Sequence, residues 1–131
     1  MKKGFTLVEL LAVIAILAIL IIIALPNVLE MFNNAKRDSF ITEARSVFKT
    51  AQQKYVTDGG TVTCYSNNNS SCDDLEMSGR SNLYYSLEFT SEGRVYHFEV
   101  YDDNYIIYYD EDEELNIEDI NVDLISDSMP R

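Results

Sequence analysis

The chain has 131 residues and a formal net charge of −12, with 22 acidic side chains against 10 basic ones. From position 95 to position 130 there are 12 acidic residues and no Lys or Arg. A surface of this charge repels phosphate backbones, which disfavours direct nucleic-acid binding by the polar part of the chain. An apolar run occupies the N-terminus, and the remaining residues, about 100, suffice for one small hydrophobic core.

The apolar run extends from Phe5 to Leu25, and Glu9 is the one charged residue among its 21 members. A helix of that length spans about 31 Å, close to the hydrocarbon thickness of a bilayer. Lys2 and Lys3 precede the run, so its short N-terminal side is expected in the cytoplasm. The sequence therefore predicts a single membrane span followed by an exported domain.

Two ordinary explanations of the run leave something unexplained. A secretory signal peptide should end in an A-x-A-like cleavage site, but "IIIALPNVLEMF" continues as a helical pattern. A plain membrane anchor does not account for Glu9, because an intramembrane carboxylate usually has a cationic partner and the run contains none. In an anchor, Glu9 would reach back toward the cytoplasmic headgroups.

The N-terminal stretch "KKGFTLVELLAVIAILAIL" resembles the leader and first helix of type IV prepilins and type II secretion pseudopilins. The resemblance rests on a short basic leader, Gly4, Phe5, a Thr-Leu pair, Glu9 and an unbroken apolar run. It implies that prepilin peptidase cuts between Gly4 and Phe5 and methylates the new Phe5 amine. It also implies that Glu9 pairs with the Phe5 amine of a neighbouring subunit, because an unpaired charge in an apolar helix bundle is costly.

The resemblance implies the following organisation: a leader at residues 1–4, a filament-core helix at 5–25, an amphipathic second half at 26–57 and an extracellular head at 58–131. The precursor would be a single-pass protein of a bacterial cell membrane, and the product would be a subunit of a cell-surface filament. Its expected partners are other copies of the chain, prepilin peptidase, the membrane, and an inner-membrane assembly platform with an ATPase motor. We predict no enzymatic activity and no cofactor.

Two alternatives to a major filament subunit stay open at this point. One is a low-copy minor pilin or pseudopilin of a secretion or DNA-uptake machine. The other is a membrane-tethered binding module that never polymerises.

Beyond Pro26 apolar residues recur every three or four positions and form one stripe: Phe40, Ile41, Ala44, Val47, Phe48, Ala51 and Tyr55. This spacing predicts one long helix over about 5–55, bent at Pro26, where a backbone hydrogen bond is lost. The breaker cluster at Asp58, Gly59 and Gly60 is expected to end it.

The rest of the chain has strand patterns. Residues 61–82 are polar and turn-rich, which predicts a connecting loop. Alternating segments at 83–89, 94–101 and 105–109 predict an antiparallel meander. The expected core-facing residues are Leu83, Tyr85, Leu87 and Phe89 in the first segment and Tyr96, Phe98 and Val100 in the second. Alternating Ile120, Val122 and Leu124 predict a further edge strand. One sheet face would pack on the helix stripe, giving an α+β, pilin-like fold.

Cys64 and Cys72 lie in the polar stretch "CYSNNNSSC", with no His nearby to complete a zinc site. A disulfide that closes a small loop is favoured if the domain faces an oxidising exterior, and two reduced surface thiols are the alternative.

Two further patterns are weak candidates for chemistry. The acidic run at 110–114 includes Asp110, Asp112 and Glu114, which could bind Ca²⁺, but its spacing matches no EF-hand and a solvated loop is favoured. His97 shares a predicted strand face with Glu99, but no nucleophile or phosphate-binding loop accompanies it, so we interpret it as a half-exposed strand residue.

Overall fold

The computed structural model describes residues 4–77, 79 and 82–127, and it divides into two units, Met1–Lys36 and Arg37–Arg131. The elements are one long helix, α1 (Leu7–Thr57), and five strands: β1 (Cys64–Ser66), β2 (Tyr84–Phe89), β3 (Val95–Tyr101), β4 (Tyr105–Asp110) and β5 (Ile125–Asp127). A short 3₁₀ helix (Ile117–Asp119) precedes β5. The sheet is antiparallel throughout, with strand order β1-β2-β3-β4-β5. This is the α+β, pilin-like arrangement that the sequence predicts.

In the first unit, α1 exposes an almost continuous apolar surface. Its large hydrophobic side chains from Leu7 to Phe32 are all at least half exposed. The helix is long and apolar enough to cross a membrane by length and composition. Pro26 lies inside α1 and does not end it. The bend expected at Pro26 stays a prediction, which rests on the hydrogen bond that a proline cannot donate.

In the second unit, the predicted helix stripe forms half of the core. Its buried members are Phe40, Ile41, Ala44, Val47, Phe48 and Ala51. The opposing residues come from alternate positions of the sheet: Tyr65, Tyr85, Leu87, Phe89, Val95, Phe98, Val100 and Ile107. Phe48 meets Phe98 edge to face, with ring centroids 5.7 Å apart, an arrangement that aromatic pairs prefer. The stripe and the face assigned to β2 are confirmed, with Leu83 only partly buried.

An aromatic contact packs the last turn of α1 against β2. Tyr55 stacks on Phe89 with ring centroids 4.5 Å apart. Gly93, in the turn between β2 and β3, lies against the Tyr55 ring and has a φ of +87°. A Cβ atom at position 93 would approach Tyr55 Cε1 to 3.1 Å. Both the backbone conformation and the close approach therefore require glycine here.

We predict that Gly93→Ala destabilises the head by about 1–3 kcal/mol, because a side chain at positive φ is strained and the Tyr55 ring must also move. Urea unfolding of the purified full chain in detergent measures the change. Gly79→Ala is the matched control, since a Cβ at Gly79 meets nothing within 4 Å. Equal stability losses in the two variants would contradict this account of Gly93.

Three sequence predictions about the head need correction. The segment 61–82 is not only a loop, because β1 lies within it and pairs with β2. Tyr96 does not join the core: the register shifts between Glu88 and Phe89, Val95 pairs with Phe89 instead, and Tyr96 is left without a paired residue. Such a bulge breaks the two-residue alternation on which the prediction rested.

The edge strand predicted over 120–124 lies instead at Ile125–Asp127. Ile120 is fully buried at the end of the 3₁₀ helix, and its carbonyl oxygen accepts a hydrogen bond from Arg45 Nε at 2.8 Å. Val122 is 53% exposed. Of the alternating apolar residues, Ile120 is therefore a core residue, whereas Val122 and Leu124 lie in a turn. The strand β5 begins only after them.

Candidate processing and assembly site

The Gly4–Phe5 peptide lies outside any helix or strand, immediately before α1. No atom lies within 4 Å of the position of a Cβ on Gly4, and the Phe5 side chain is 86% exposed. This peptide bond is therefore accessible without unfolding any described element.

Thr6 fixes where α1 begins. Its hydroxyl oxygen accepts a hydrogen bond from the Glu9 backbone N–H at 3.1 Å, and the Thr6 carbonyl accepts the first helical bond, from Leu10 N–H. This is N-capping by threonine, typically worth about 1 kcal/mol of helix stability. Thr6-Leu-Val-Glu9 has the spacing of a capping box, a signal in the sequence that could have identified Thr6 as the cap. As a result, α1 begins at Leu7 rather than at Phe5.

Glu9 lies in the first turn of α1, where the helix dipole favours a negative charge. The side chains around it on the helix are apolar and exposed: Leu7, Val8, Leu10 and Leu11. Among the described residues, no basic side chain lies within 4.0 Å of the Glu9 carboxylate. The described part of the chain therefore supplies no cation to this carboxylate.

The disulfide between Cys64 and Cys72 is present, which confirms that prediction, and the two Cα atoms are 5.0 Å apart. Cys64 opens β1, and the Cys72 side of the loop returns to it through backbone bonds from Asp73 N–H to the Cys64 carbonyl and from Ser66 N–H to the Asp73 carbonyl. The loop is thus clamped covalently and by hydrogen bonds at the edge of the sheet.

Tyr85, a buried residue of β2, holds the residues that follow Cys72 by hydrogen bonds. The Tyr85 hydroxyl donates to Asp74 Oδ1 at 2.6 Å and accepts a bond from the buried Leu75 N–H at 2.9 Å. The bond from Tyr85 holds the pKa of Asp74 below its ordinary value of 3.8, and bonds from the Glu76 and Leu75 backbones act in the same direction. Burial, followed by the bond to Asp74, raises the pKa of Tyr85.

We predict that Tyr85→Phe destabilises the head by about 1–3 kcal/mol at neutral pH, since it leaves the buried Leu75 N–H without an acceptor. Because the folded pKa of Asp74 is lowered, its contribution is present above pH 3.8 and is lost as the pH falls through the folded pKa. The variant should therefore lose less stability than the wild type on acidification below that pH.

Urea unfolding of the full chain at a series of pH values measures both effects of Tyr85→Phe. Tyr84→Phe is the control, because Tyr84 is 38% exposed and points to the other face of the same strand. An unchanged acid dependence in Tyr85→Phe would contradict the coupling to Asp74.

Asp110 is the exposed last residue of β4, and the acidic residues 111–114 form the exposed connection that follows it. Among residues 4–77, 79 and 82–127, no three His, Cys, Asp or Glu side chains come together as a metal site, so Asp110, Asp112 and Glu114 form no such cluster. The backbone is nevertheless held in place, because Glu111 N–H bonds to the Tyr96 carbonyl and Tyr109 O–H to the Glu113 carbonyl. Burial raises the pKa of Tyr109, and the charges of Glu111 and Glu113 add to that shift.

His97 lies on the sheet face opposite the core, between two carboxylates. Its Nε2 is 4.0 Å from Glu99 Oε2, and its Nδ1 is 3.7 Å from Asp110 Oδ2. The Tyr108 ring meets the imidazole edge to face. Both cysteines are consumed in the disulfide, so neither offers a nucleophile to this cluster.

Comparison with known proteins adds a result for the N-terminus alone. Residues 1–25 match the family model described as the prokaryotic N-terminal methylation motif. No curated protein and no solved structure gives a significant match to the chain. The matched region contains Gly4, Phe5, Thr6 and Glu9. Residues 1–25 therefore carry the class III signal of type IV prepilins and pseudopilins.

Proposed function

We propose that the chain is a pilin-like filament subunit. It is cleaved after Gly4, methylated on the Phe5 amine and polymerised through the apolar part of α1, with the head on the filament surface. The observation that carries this proposal is the N-terminal methylation motif. It lies at the start of α1, which is apolar and exposed where it belongs to the first unit of the chain.

The arrangement of the first turn of α1 supports a sequence of two steps, in which cleavage prepares the chain for assembly. Cleavage between Gly4 and Phe5 leaves Thr6 as the second residue, so the cap that begins α1 is kept. It also creates an ammonium group at Phe5, a cation that could pair with a carboxylate such as Glu9. Within a bundle of apolar helices, charged ends pair only in the correct register, because any other register buries an uncompensated charge.

The exposed apolar surface supports polymerisation after membrane insertion. Contiguous apolar patches on monomeric soluble proteins rarely exceed a few hundred Å² and otherwise mark contacts with membranes or proteins. From Leu7 to Phe32 the large hydrophobic side chains are exposed all around the helix. A lipid bilayer covers such a surface in the precursor, and neighbouring α1 helices would cover it in the filament.

The test is immunogold labelling of the producing bacterium with antibodies against the head. We expect gold particles along the whole length of surface fibres. Label confined to the cell envelope, on chains that have lost residues 1–4, would instead indicate a minor pilin or pseudopilin. Label confined to the envelope on chains that keep residues 1–4 would indicate a membrane-tethered module and would contradict the proposal.

A further inference from the structure

One face of α1 within the Arg37–Arg131 unit borders an open groove of about 560 Å³. Its lining residues come from α1 and from the 3₁₀ helix: Thr42, Arg45, Ser46, Lys49, Ile117 and Glu118. The bond from Arg45 Nε to the Ile120 carbonyl joins the two sides, so the groove is built by the folded head. We call it the basic groove.

The basic groove concentrates cations that have no carboxylate partner within the described chain. From position 44 to position 57, α1 has three basic residues and no acidic one. Lys54 pairs with Asp58 at 3.8 Å. Among the described residues, neither Arg45 nor Lys49 has a carboxylate within 4.0 Å, although Glu118 lines the same groove. Such cations are unusual in a chain whose acids outnumber its bases 22 to 10.

The complementary surface is the acidic loop, residues 111–114, in which all four side chains are acidic and exposed. Its backbone is held at both ends, by Glu111 N–H on the Tyr96 carbonyl and by Leu115 N–H on the Val95 carbonyl. Within the described part of the chain, no base lies within 4.0 Å of its carboxylates, and Arg94, which borders the same pocket as Asp112 to Glu114, pairs with Glu92. The loop is therefore ordered before it meets any partner.

We propose that the acidic loop of one copy of this chain docks in the basic groove of the next copy in the filament. The inference rests on the proposed function, since it specifies how heads meet once the chain polymerises. The occupant is a second copy because the chain itself carries both complementary surfaces. Opposed charges of this kind fix register and disfavour wrong pairings, because like charges would otherwise meet.

The two surfaces lie at different levels of the same head. The acidic loop is bonded to Val95, beside the Gly93 turn that contacts Tyr55. The groove residues Thr42 to Lys49 precede Tyr55 by six to thirteen positions. At the rise of an α-helix, these groove residues lie about 9–20 Å from Tyr55 along the axis of α1. Polymerisation through α1 sets neighbouring copies parallel, and between parallel copies a contact of two surfaces at different levels is heterologous and continues from copy to copy, as an open helical filament requires.

The first test is charge reversal in the full chain, expressed in the producing bacterium. We expect Lys49→Glu to lower the yield of sheared filaments by about fivefold or more. Combining it with Asp112→Lys and Glu113→Lys should restore the yield to within about twofold of wild type, because the charges are then exchanged. Arg37→Glu, the same charge change at an exposed position outside the groove, should leave the yield near wild type. Normal yield from Lys49→Glu, or failure of the exchanged variant to recover, would overturn the proposal.

The second test is cross-linking in sheared filaments that carry both Lys49→Cys and Glu113→Cys. Oxidation should give a ladder of dimers and larger species on a non-reducing gel, whereas each single variant should remain monomeric. A monomer band alone from intact filaments of the double variant would overturn the docking and leave the proposed function standing. If wild-type cells form no filaments containing this chain, the proposed function fails first. Reduced flotation of Lys49→Glu with anionic vesicles, at unchanged filament yield, would identify lipid headgroups as the occupant and also overturn the proposal.

Discussion

Glu9→Ala should leave cleavage after Gly4 largely intact and lower the yield of sheared filaments by about tenfold or more. The expected loss follows from the surroundings of Glu9, the one charged group among the exposed apolar side chains of the Phe5–Leu25 run. In the filament, the variant would leave the ammonium group of Phe5 without its carboxylate in a region that water does not reach. The penalty falls on assembly, because the precursor has no such amine before cleavage.

Glu30→Ala is the matched control for Glu9→Ala. It removes the same charge from an exposed position of α1 outside the apolar run, and filament yield should remain near that of the wild type. Immunoblots of whole cells for precursor and mature forms separate the two steps. Wild-type filament yield from Glu9→Ala would contradict the pairing argument. Accumulation of uncleaved precursor would show that Glu9 acts in recognition by the peptidase.

Replacing both Cys64 and Cys72 by serine should destabilise the head by about 2.5 kcal/mol, the loop-entropy estimate for a disulfide that closes nine residues. The loop is polar, with no large apolar side chain between Tyr65 and Cys72 to hold it by burial. Without the covalent link it would depend on hydrogen bonds such as those of Asp73, and β1 would lose part of its attachment to β2.

Urea unfolding of the purified full chain in detergent, with and without reductant, measures the contribution of the disulfide. Ser70→Ala combined with Ser71→Ala changes two residues of the same loop without touching the link, and its unfolding midpoint should be close to that of the wild type. The doubly serine-substituted variant should be insensitive to reductant. Two titratable thiols in the untreated wild-type protein would contradict the disulfide itself.

The sequence predicts those parts of the fold that arise from repeated local patterns. The stripe from Phe40 to Ala51 has helical spacing and is buried as expected, since that spacing places all its members on one side of α1. The alternation in β2 and β4 likewise marks strands whose inner faces are apolar.

Features that depend on long-range partners could not be obtained in this way. β1 has three residues in a polar stretch, and it is a strand because β2 offers it an edge and the disulfide holds it there. Tyr96 breaks the alternation of β3 because a register shift lies between Glu88 and Phe89, on the opposite strand. Ile120 is fully buried, and its carbonyl oxygen accepts a hydrogen bond from Arg45, which lies 75 positions earlier in the chain.

The N-terminal motif could be recognised from the sequence because its parts lie within a few residues of one another, while the roles assigned to these residues in cleavage, methylation and pairing stay predictions. Gly4, Phe5 and Glu9 form a local motif, and the motif match to residues 1–25 agrees with it. Thr6 was missed, although the capping-box spacing from Thr6 to Glu9 was available in the sequence. The basic groove was beyond sequence reasoning, since it joins Lys49 to Ile117 and Glu118 across the folded head.

The central claim is that the mature chain begins at a methylated Phe5 and resides in a filament. Mass spectrometry of material sheared from the cell surface tests it most directly, by identifying the N-terminal peptide of this chain. The account predicts an abundant peptide that begins at Phe5 and carries one added methyl group. A peptide that still contains residues 1–4 in the final protein would contradict the account, because Glu9 would then have no new amine to meet.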